Sequence, residues 1–494
     1  MELKKLIENL NCKTTGNLDI EIENITTNSK NTTKNSMFIC LVGENADGHN
    51  YAKDAEKNGA TVIVCERKLE NVFVTQIIVE NTRKAYSQIF SNFYFNPQNW
   101  LKTIAITGTN GKTTTSFLIK SILEGAGKRV GLIGTQGVFF GNQFFETGLT
   151  TPDPEVLFKT LREMVDSGIE YVVMEASAHA LELEKTEGIV FDVGVFTNFT
   201  QDHLDFFKTM ENYKQAKLKL FNYGKIKSAV LNFDDGVGLE ISEKINVPFV
   251  SYGIYNPSDI FAVEIERKTI KTEYVVNLLD NVFKVESNLF GEFNVYNSLA
   301  ACGAMAILGF SENEIKRGLE SLVSVPGRFN SFRLYNGATA VIDFAHTPDG
   351  LEQILKTLKQ MPFNRIITVF GCAGNRDKGK RSQMGKIAEM FSDFVVITSD
   401  NPCYENPNLI IDDIEHGMKK TAHTSFVDRT SAVYHAIEIS QKGDVIAILG
   451  KGAETYQDIN GIKAPYNDFE TVNRKNEELI VESVATRRKA WIII

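Results

Sequence analysis

The sequence predicts an α/β protein of several domains, with a phosphate-binding loop in its central unit and a Rossmann-like, doubly wound sheet in its C-terminal unit. Three observations carry this. The apolar run Ile104–Ile106 leads into Gly108-Thr109-Asn110-Gly111-Lys112-Thr113-Thr114 and then into helical apolar spacing from Ser116 to Leu123; strand, glycine turn, Lys-Thr and helix is the layout of a phosphate loop. Beyond residue 326, short β-branched runs alternate with helical segments, as in a parallel sheet covered on both faces. At 494 residues the chain exceeds what one hydrophobic core supports, so two to four domains are expected.

Residues 1–98 read as a small α/β unit, with strands at 61–65 and 76–79 and a helical pattern from Asn50 to Gly59. Asn28-Ser29-Lys30 and Asp47-Gly48-His49 read as surface loops, and Pro97-Gln98-Asn99-Trp100 as a linker. Residues 99–325 form the larger unit. Its phosphate loop has the spacing G-x-x-G-K-T; the leading glycine of the longer G-x-x-x-x-G-K-[ST] pattern would fall on Ile106. Gly108 and Gly111 can take the backbone angles that aim N–H groups inward, and the helix N-terminus adds partial positive charge. Lys112 can reach a terminal phosphate and the Thr113 hydroxyl can ligate Mg²⁺. The strand Tyr171–Glu175 ends in an acid, and Val193–Asn198 runs into Asp202-His203-Leu204-Asp205. Ligands of open α/β sheets gather at strand ends, so Glu175 and His203 are expected to face the loop, Glu175 with the chemistry for Mg²⁺. A loop carboxylate and a satisfied core histidine are the plainer readings.

By spacing alone, Lys217 lies on the solvated face of a helix over 213–221. Asn294 and Asn297, one turn apart on the helix opened by Gly291, can cap that helix or read a purine edge. In residues 326–494, strands are expected at Ala340–Asp343, Arg365–Phe370, Val395–Asp400 and Asp444–Gly450. The basic cluster Arg376–Arg381 is either a solvated face or an anion grip.

A net charge of −9 argues against a nucleic-acid surface, and no apolar run approaches the ~20 residues that span a bilayer. The first residues lack the apolar core of a signal peptide. Six scattered cysteines without a C-x-x-C pair fit reduced thiols in a cytoplasm. The apolar tail Ala490–Ile494 is too short for an anchor and is expected to pack on the C-terminal domain or fray.

These motifs together resemble the Mur ligases of peptidoglycan synthesis, in particular the members that add the third residue of the stem peptide. The resemblance runs the length of the chain. It includes the phosphate loop, Thr150-Thr151-Pro152, Glu175-Ala176-Ser177-Ala178-His179, Asp202–Asp205, Gly291–Asn297, Pro326-Gly327-Arg328, Asp343–Pro348, Asp400-Asn401-Pro402 and Gly450-Lys451-Gly452. It implies three domains: 1–98 for UDP-N-acetylmuramic acid, 99–325 as an ATPase-type ligase domain, and 326–494 for a free amino acid. It also implies ATP-dependent activation of UDP-N-acetylmuramoyl-L-Ala-D-Glu as an acyl phosphate that an amine then attacks, in a cytoplasmic, monomeric enzyme. By resemblance, Gly108 to Thr114, Asn294, Arg328 and Asp343 contact the nucleotide. Thr113, Glu175, His203 and a carbamylated Lys217 hold Mg²⁺, and Lys112, His203 and Lys217 serve the chemistry. Ser29, Thr150, Thr151, Ser177 and Lys185 contact the UDP-sugar or its peptide. Arg376, Asp400, Asn401, Gly450 and Glu454 form the amino-acid pocket, with Arg376 on a carboxylate and Glu454 facing an ammonium.

The sequence departs from the resemblance at several positions. Cys403 stands where diaminopimelate-adding members carry an arginine for the distal carboxylate, which argues against that amino acid. Ala453 replaces a histidine, Ala178 a serine, and Lys185 an arginine, keeping charge but losing a bidentate fork. A folylpolyglutamate synthetase-like ligase and a non-catalytic nucleotide-binding paralogue are the rival readings. The N-terminal unit argues against the first, and the retained Lys112, Thr113, Glu175, His203 and Lys217 against the second.

Overall fold

The structure is a computed structural model, and it describes residues 1–43, 46–267, 271–419 and 422–492. Three sheets follow one another along the chain. The first has five strands in the order Cys12–Thr15, Thr75–Val79, Ala60–Cys65, Ser36–Ile39, Asn24–Thr26, parallel except for Cys12–Thr15. Strand alternation divides its side chains between two cores: Met37, Ile39, Val62 and Val64 face one, and Phe38, Cys40, Ile63 and Cys65 the other. The expected helix is Ala52–Lys57, entered through a 3₁₀ turn, Gly48–Tyr51, that Asp47 caps. The expected linker is itself a 3₁₀ turn, Pro97–Trp100.

The second sheet has eleven strands. Seven are parallel, in the order Ile260–Arg267, Phe249–Gly253, Ala229–Asn232, Val193–Phe196, Lys102–Thr107, Tyr171–Glu175, Val130–Gly134. Antiparallel strands extend it at both ends, Thr272–Leu278 and Asn281–Ser287 at one and Gly137–Phe140 and Gln143–Phe145 at the other. The central strand Lys102–Thr107 carries the phosphate loop. Its neighbours are in register so that Glu175 lies beside Ile106 and Phe196 beside Thr107. Three strand ends therefore open at one level, the position where such sheets keep their ligands.

The third sheet has the order Asn330–Arg333, Thr339–Asp343, Val445–Leu449, Ile366–Phe370, Phe394–Thr398, His423–Phe426, parallel apart from its first strand. The strands expected in residues 326–494 all form, each within a few residues of its predicted bounds. The hairpin Tyr456–Ile459/Ile462–Pro465 stands apart. The last helix, Asp468–Ile492, packs on Arg429–Ile439 and includes the start of the apolar tail; Ile493 and Ile494 lie outside the described residues. Loops at the carboxyl ends of the second and third sheets touch: Asn110 donates to Asp349 at 2.7 Å, Gln201 to Asp377 at 3.0 Å, and Lys380 pairs with Asp202 at 3.2 Å.

Candidate active site

The phosphate loop is set by its glycines. Gly108 and Gly111 have φ of 147° and 86°. A Cβ on Gly108 would fall 1.8 Å from the Thr197 hydroxyl, and one on Gly111 2.3 Å from the Asn297 amide oxygen. Thr197, Asn198 and Asn297 thus grip the loop from outside: Asn198 accepts from the Asn110 amide at 2.8 Å, and Thr197 donates to the Asn110 carbonyl at 2.7 Å. Lys112 folds back and donates to the carbonyls of Gly108 and Thr109, each at 2.9 Å. Burial lowers its pKa, against the pull of Glu175 and Asp202.

Glu175 is fully buried at its strand end. It accepts from the Thr113 hydroxyl at 3.1 Å and from the amide and hydroxyl of Thr135 at 3.0 Å each. Gly134 makes room for it, since a Cβ there would meet a Glu175 oxygen at 2.2 Å. Thr135 was not singled out in the sequence; its signal is its place directly after the apolar strand Val130–Gly134, one strand removed from the loop. From the third domain, Arg328 donates to the same Thr113 hydroxyl at 3.1 Å while its guanidinium lies 4.5 Å from the Phe344 ring centre. Asp343 does not reach the loop directly. It accepts from the amides of Phe329 and Ala345, each at 2.7 Å, and so fixes the turn that presents Arg328.

His203 caps a short helix with φ of 58° and lies 3.3 Å from Asp202. Burial, against the pull of Asp202 and helped by His179, His346 and Lys217, lowers its pKa to about 3, so the imidazole is neutral with a lone pair available. Burial opposes a charge on Asp202, but Lys380, with a hydrogen bond from His346, holds its pKa well below the carboxylate range.

Lys217 overturns the solvated-face reading that spacing alone gave. Its side chain is 1 % exposed, because Met210–Leu218 packs inward under the loop, and its ammonium group lies 4.4 Å from the Tyr213 ring centre. Among the described residues no hydrogen bond or ion pair fixes it. Burial, with Lys112 nearby, holds its pKa well below that of an ordinary lysine and so favours a neutral amine.

Asn294 and Asn297 share a face of the helix Glu292–Ile307, and neither caps it through its side chain. Asn297 donates to Asn294 at 2.9 Å, and Asn294 to the Phe290 carbonyl at 2.7 Å. Beside them a cavity of about 540 Å³ is lined by Asn294, Arg328, Phe290, Phe329, Phe332 and Ala453.

The basic cluster divides its duties. Arg376 is half exposed, 3.6 Å from Asp205. Lys380 and Arg381 are buried on internal carboxylates, so they are neither a solvated face nor free to grip a ligand. In the expected amino-acid pocket, Gly450 (φ 112°) lets the Asp400 carboxylate approach, for a Cβ would fall 2.6 Å from it. Glu454 meets an ammonium inside the protein: Lys451 at 2.7 Å, with Asn401 donating to it at 3.0 Å. Thr150, Thr151 and Ser177 cluster beside Glu175. Thr151 donates to the Glu175 carbonyl at 2.7 Å, and Thr150 lies 3.0 Å from Thr135. Lys185 is mostly buried on Asp153 at 2.8 Å. Ser29 lies away from these, in a 3₁₀ turn capped by Asn28.

A phosphate loop, a strand-end carboxylate and an arginine brought to both by a second α/β domain define an enzyme of the phosphate-loop class. The chain belongs to the Mur ligase family. Models for the Mur ligase family, catalytic domain, for the Mur ligase middle domain and for the Mur ligase, glutamate ligase domain match residues 21–94, 106–305 and 327–452. A UDP-N-acetylmuramoyl-L-alanyl-D-glutamate–2,6-diaminopimelate ligase of Clostridium tetani is 42% identical over 97% of this chain and 100% of its own length. One of Bacillus velezensis is 40% identical over 97% and 99%. A solved structure of a ligase with the same name superposes with a TM-score of 0.68 at 28% identity, covering 97% of this chain and 99% of its own. A Mycobacterium tuberculosis folylpolyglutamate synthase complexed with ADP shares the fold (TM-score 0.62, 16% identity) but covers 75% of this chain. As a Mur ligase, this protein is an ATP-dependent, amide-bond-forming enzyme.

Proposed function

We propose that this ligase adds the third amino acid to UDP-N-acetylmuramoyl-L-Ala-D-Glu through an acyl phosphate, in the cytoplasm, as a monomer, with no nucleic-acid or membrane partner. The carrying observation is the meeting of Glu175 and Arg328, from two domains, on the Thr113 hydroxyl, with Lys112 of the same loop within their electrostatic reach. Residues 1–98 are assigned to the UDP-sugar, with Ser29 as a contact, 99–325 to ATP and 326–494 to the amino acid. The aromatic and amide walls of the cavity beside Asn294 suit a planar base.

A carboxylate is a poor electrophile at neutral pH. An oxygen of the D-Glu side chain attacks the terminal phosphorus of ATP, and the bond to ADP breaks. The incoming amine then attacks the acyl carbon, loses a proton and expels phosphate. Lys112 and Arg328 supply positive charge where the transferring group gains negative charge. The hydroxyl of Thr113 and the carboxylate of Glu175 are hard oxygen donors suited to one Mg²⁺, which would offset phosphate charge when bound. Neutral His203 and a carbamate on Lys217 would hold a second. A neutral buried amine fits that modification, because only the uncharged form attacks CO₂.

The amino acid is a diamino acid. Relatives named for 2,6-diaminopimelate favour that compound. Cys403, with Asp400, Glu405 and Asp458 as acidic neighbours, favours one without a distal carboxylate, although Arg376 is also near. The test is phosphate release from ATP with the UDP-dipeptide and a panel of L-lysine, ornithine, meso-diaminopimelate and lanthionine. Release requiring both acceptor and amino acid is expected, with L-lysine or ornithine preferred. Silence across the panel would overturn the ligase reading in favour of a nucleotide-binding paralogue.

A further inference from the structure

Two loops that carry the expected amino-acid contacts follow neighbouring strands of the third sheet, Ile366–Phe370 and Phe394–Thr398, whose pairing ends at Phe370 and Ile397, and the loops run on beyond it. One carries Arg376, the other Asp400, Asn401 and Cys403. Each contains a non-glycine residue in the left-handed region, Asn375 at φ 54° and Cys403 at φ 51°. Such angles persist only where surrounding structure over-determines them.

The surrounding structure is a buried arginine. Arg381, on the helix Gly379–Phe391, has a side chain 1 % exposed. Its two terminal nitrogens donate to the two oxygens of Glu405, each at 3.1 Å, to Asp413 at 2.9 Å and to the Ala373 carbonyl at 3.3 Å. Glu405 in turn accepts from the Asn375 amide, and Lys378 approaches it at 3.4 Å. The loops are stitched further where Tyr404 donates its amide to the Asn375 side chain at 3.0 Å and Gly374 its amide to the Asn401 carbonyl at 2.8 Å. The bidentate fork is the strong, directional form of this contact. It lowers the pKa of Glu405 to about 2.

We infer that the Arg381–Glu405 fork is the positioning element of the amino-acid pocket: it sets the spacing of the Arg376 loop from the Asp400–Cys403 loop and so governs recognition of the incoming amino acid, without touching it. The inference rests on the ligase reading and on the assignment of that pocket. Lys380, the preceding residue, reaches Asp202 of the central domain, so the same helical turn joins both loops to the closed domain pair.

The test is steady-state kinetics of the full chain with whichever panel amino acid the wild type uses, comparing Glu405→Gln, Glu405→Asp and Arg381→Lys, with thermal unfolding of each. Glu405→Gln keeps shape and loses charge. The expected result is a KM for the amino acid raised about tenfold or more, KM for ATP and for the UDP-dipeptide within about twofold, and partial recovery in Glu405→Asp. Where Arg381→Lys does not fold, the two Glu405 variants carry the test. Glu405 variants that unfold earlier but keep the amino-acid KM, or that shift all three KM values alike, would overturn the inference and leave the ligase reading intact. A wild type inactive with every panel amino acid would overturn both.

Discussion

The phosphate loop and the proposed amino-acid pocket sit on facing sheet ends and are built in opposite ways. The loop is one run of seven residues, Gly108 to Thr114, whose shape comes from two glycines and a helix start, and whose neighbours hold it mainly through its backbone. The pocket is drawn from separate segments around Arg376, Asp400–Cys403 and Gly450–Glu454, held by ion pairs between side chains. A contiguous, backbone-held site suits a step common to every substrate. A discontinuous site held by side chains can change its selectivity by single substitutions and leave the phosphate chemistry untouched. Of the departures of this sequence, Cys403 and Ala453 fall in segments of the second region, Ala178 and Lys185 lie elsewhere, and none falls in the loop itself.

The comparison can be broken or sharpened. The largest effect is expected at the loop: Lys112→Ala should lower kcat by ~10³-fold with every amino acid, read by phosphate release, with an unfolding midpoint close to wild type. Lys217→Ala should lose ~10²-fold and regain part of it in small carboxylates such as acetate, which can occupy the space of a carbamate. An unaffected Lys217→Ala enzyme would remove the carbamate from the mechanism. At the pocket, Arg376→Ala should raise KM for the amino acid by ~10-fold and leave KM for ATP alone, as expected for one lost charge-assisted contact. Cys403→Arg should raise the kcat/KM ratio of meso-diaminopimelate over L-lysine by ~10-fold.

The smallest effect is on stability in acid. Arg381 depresses the pKa of Glu405 from 4.5 to about 2 in the folded protein. The unfolded chain therefore binds the proton first, so the fork's contribution is complete above pH 4.5 and is lost as pH falls towards 2. Across that window the wild-type unfolding midpoint should fall more steeply than that of Glu405→Gln.

The sequence alone placed the phosphate loop, the strand ending in Glu175 and the alternation of the third domain, because glycine conformations and period-two burial are properties of neighbouring residues. It missed the antiparallel extensions of the central sheet. Thr272–Leu278 has an alternating burial that could have been read, whereas the short strand Gln143–Phe145 has two of its three residues exposed and gives little pattern. Tertiary structure decided the rest. Whether Lys217 is a solvated cation or a buried amine, and whether Lys380 and Arg381 grip a ligand or brace the protein, depends on water exclusion and on carboxylates distant in sequence. Desolvation and charge pairing act through space, so identical residues in an identical local pattern take opposite roles once the fold chooses their neighbours.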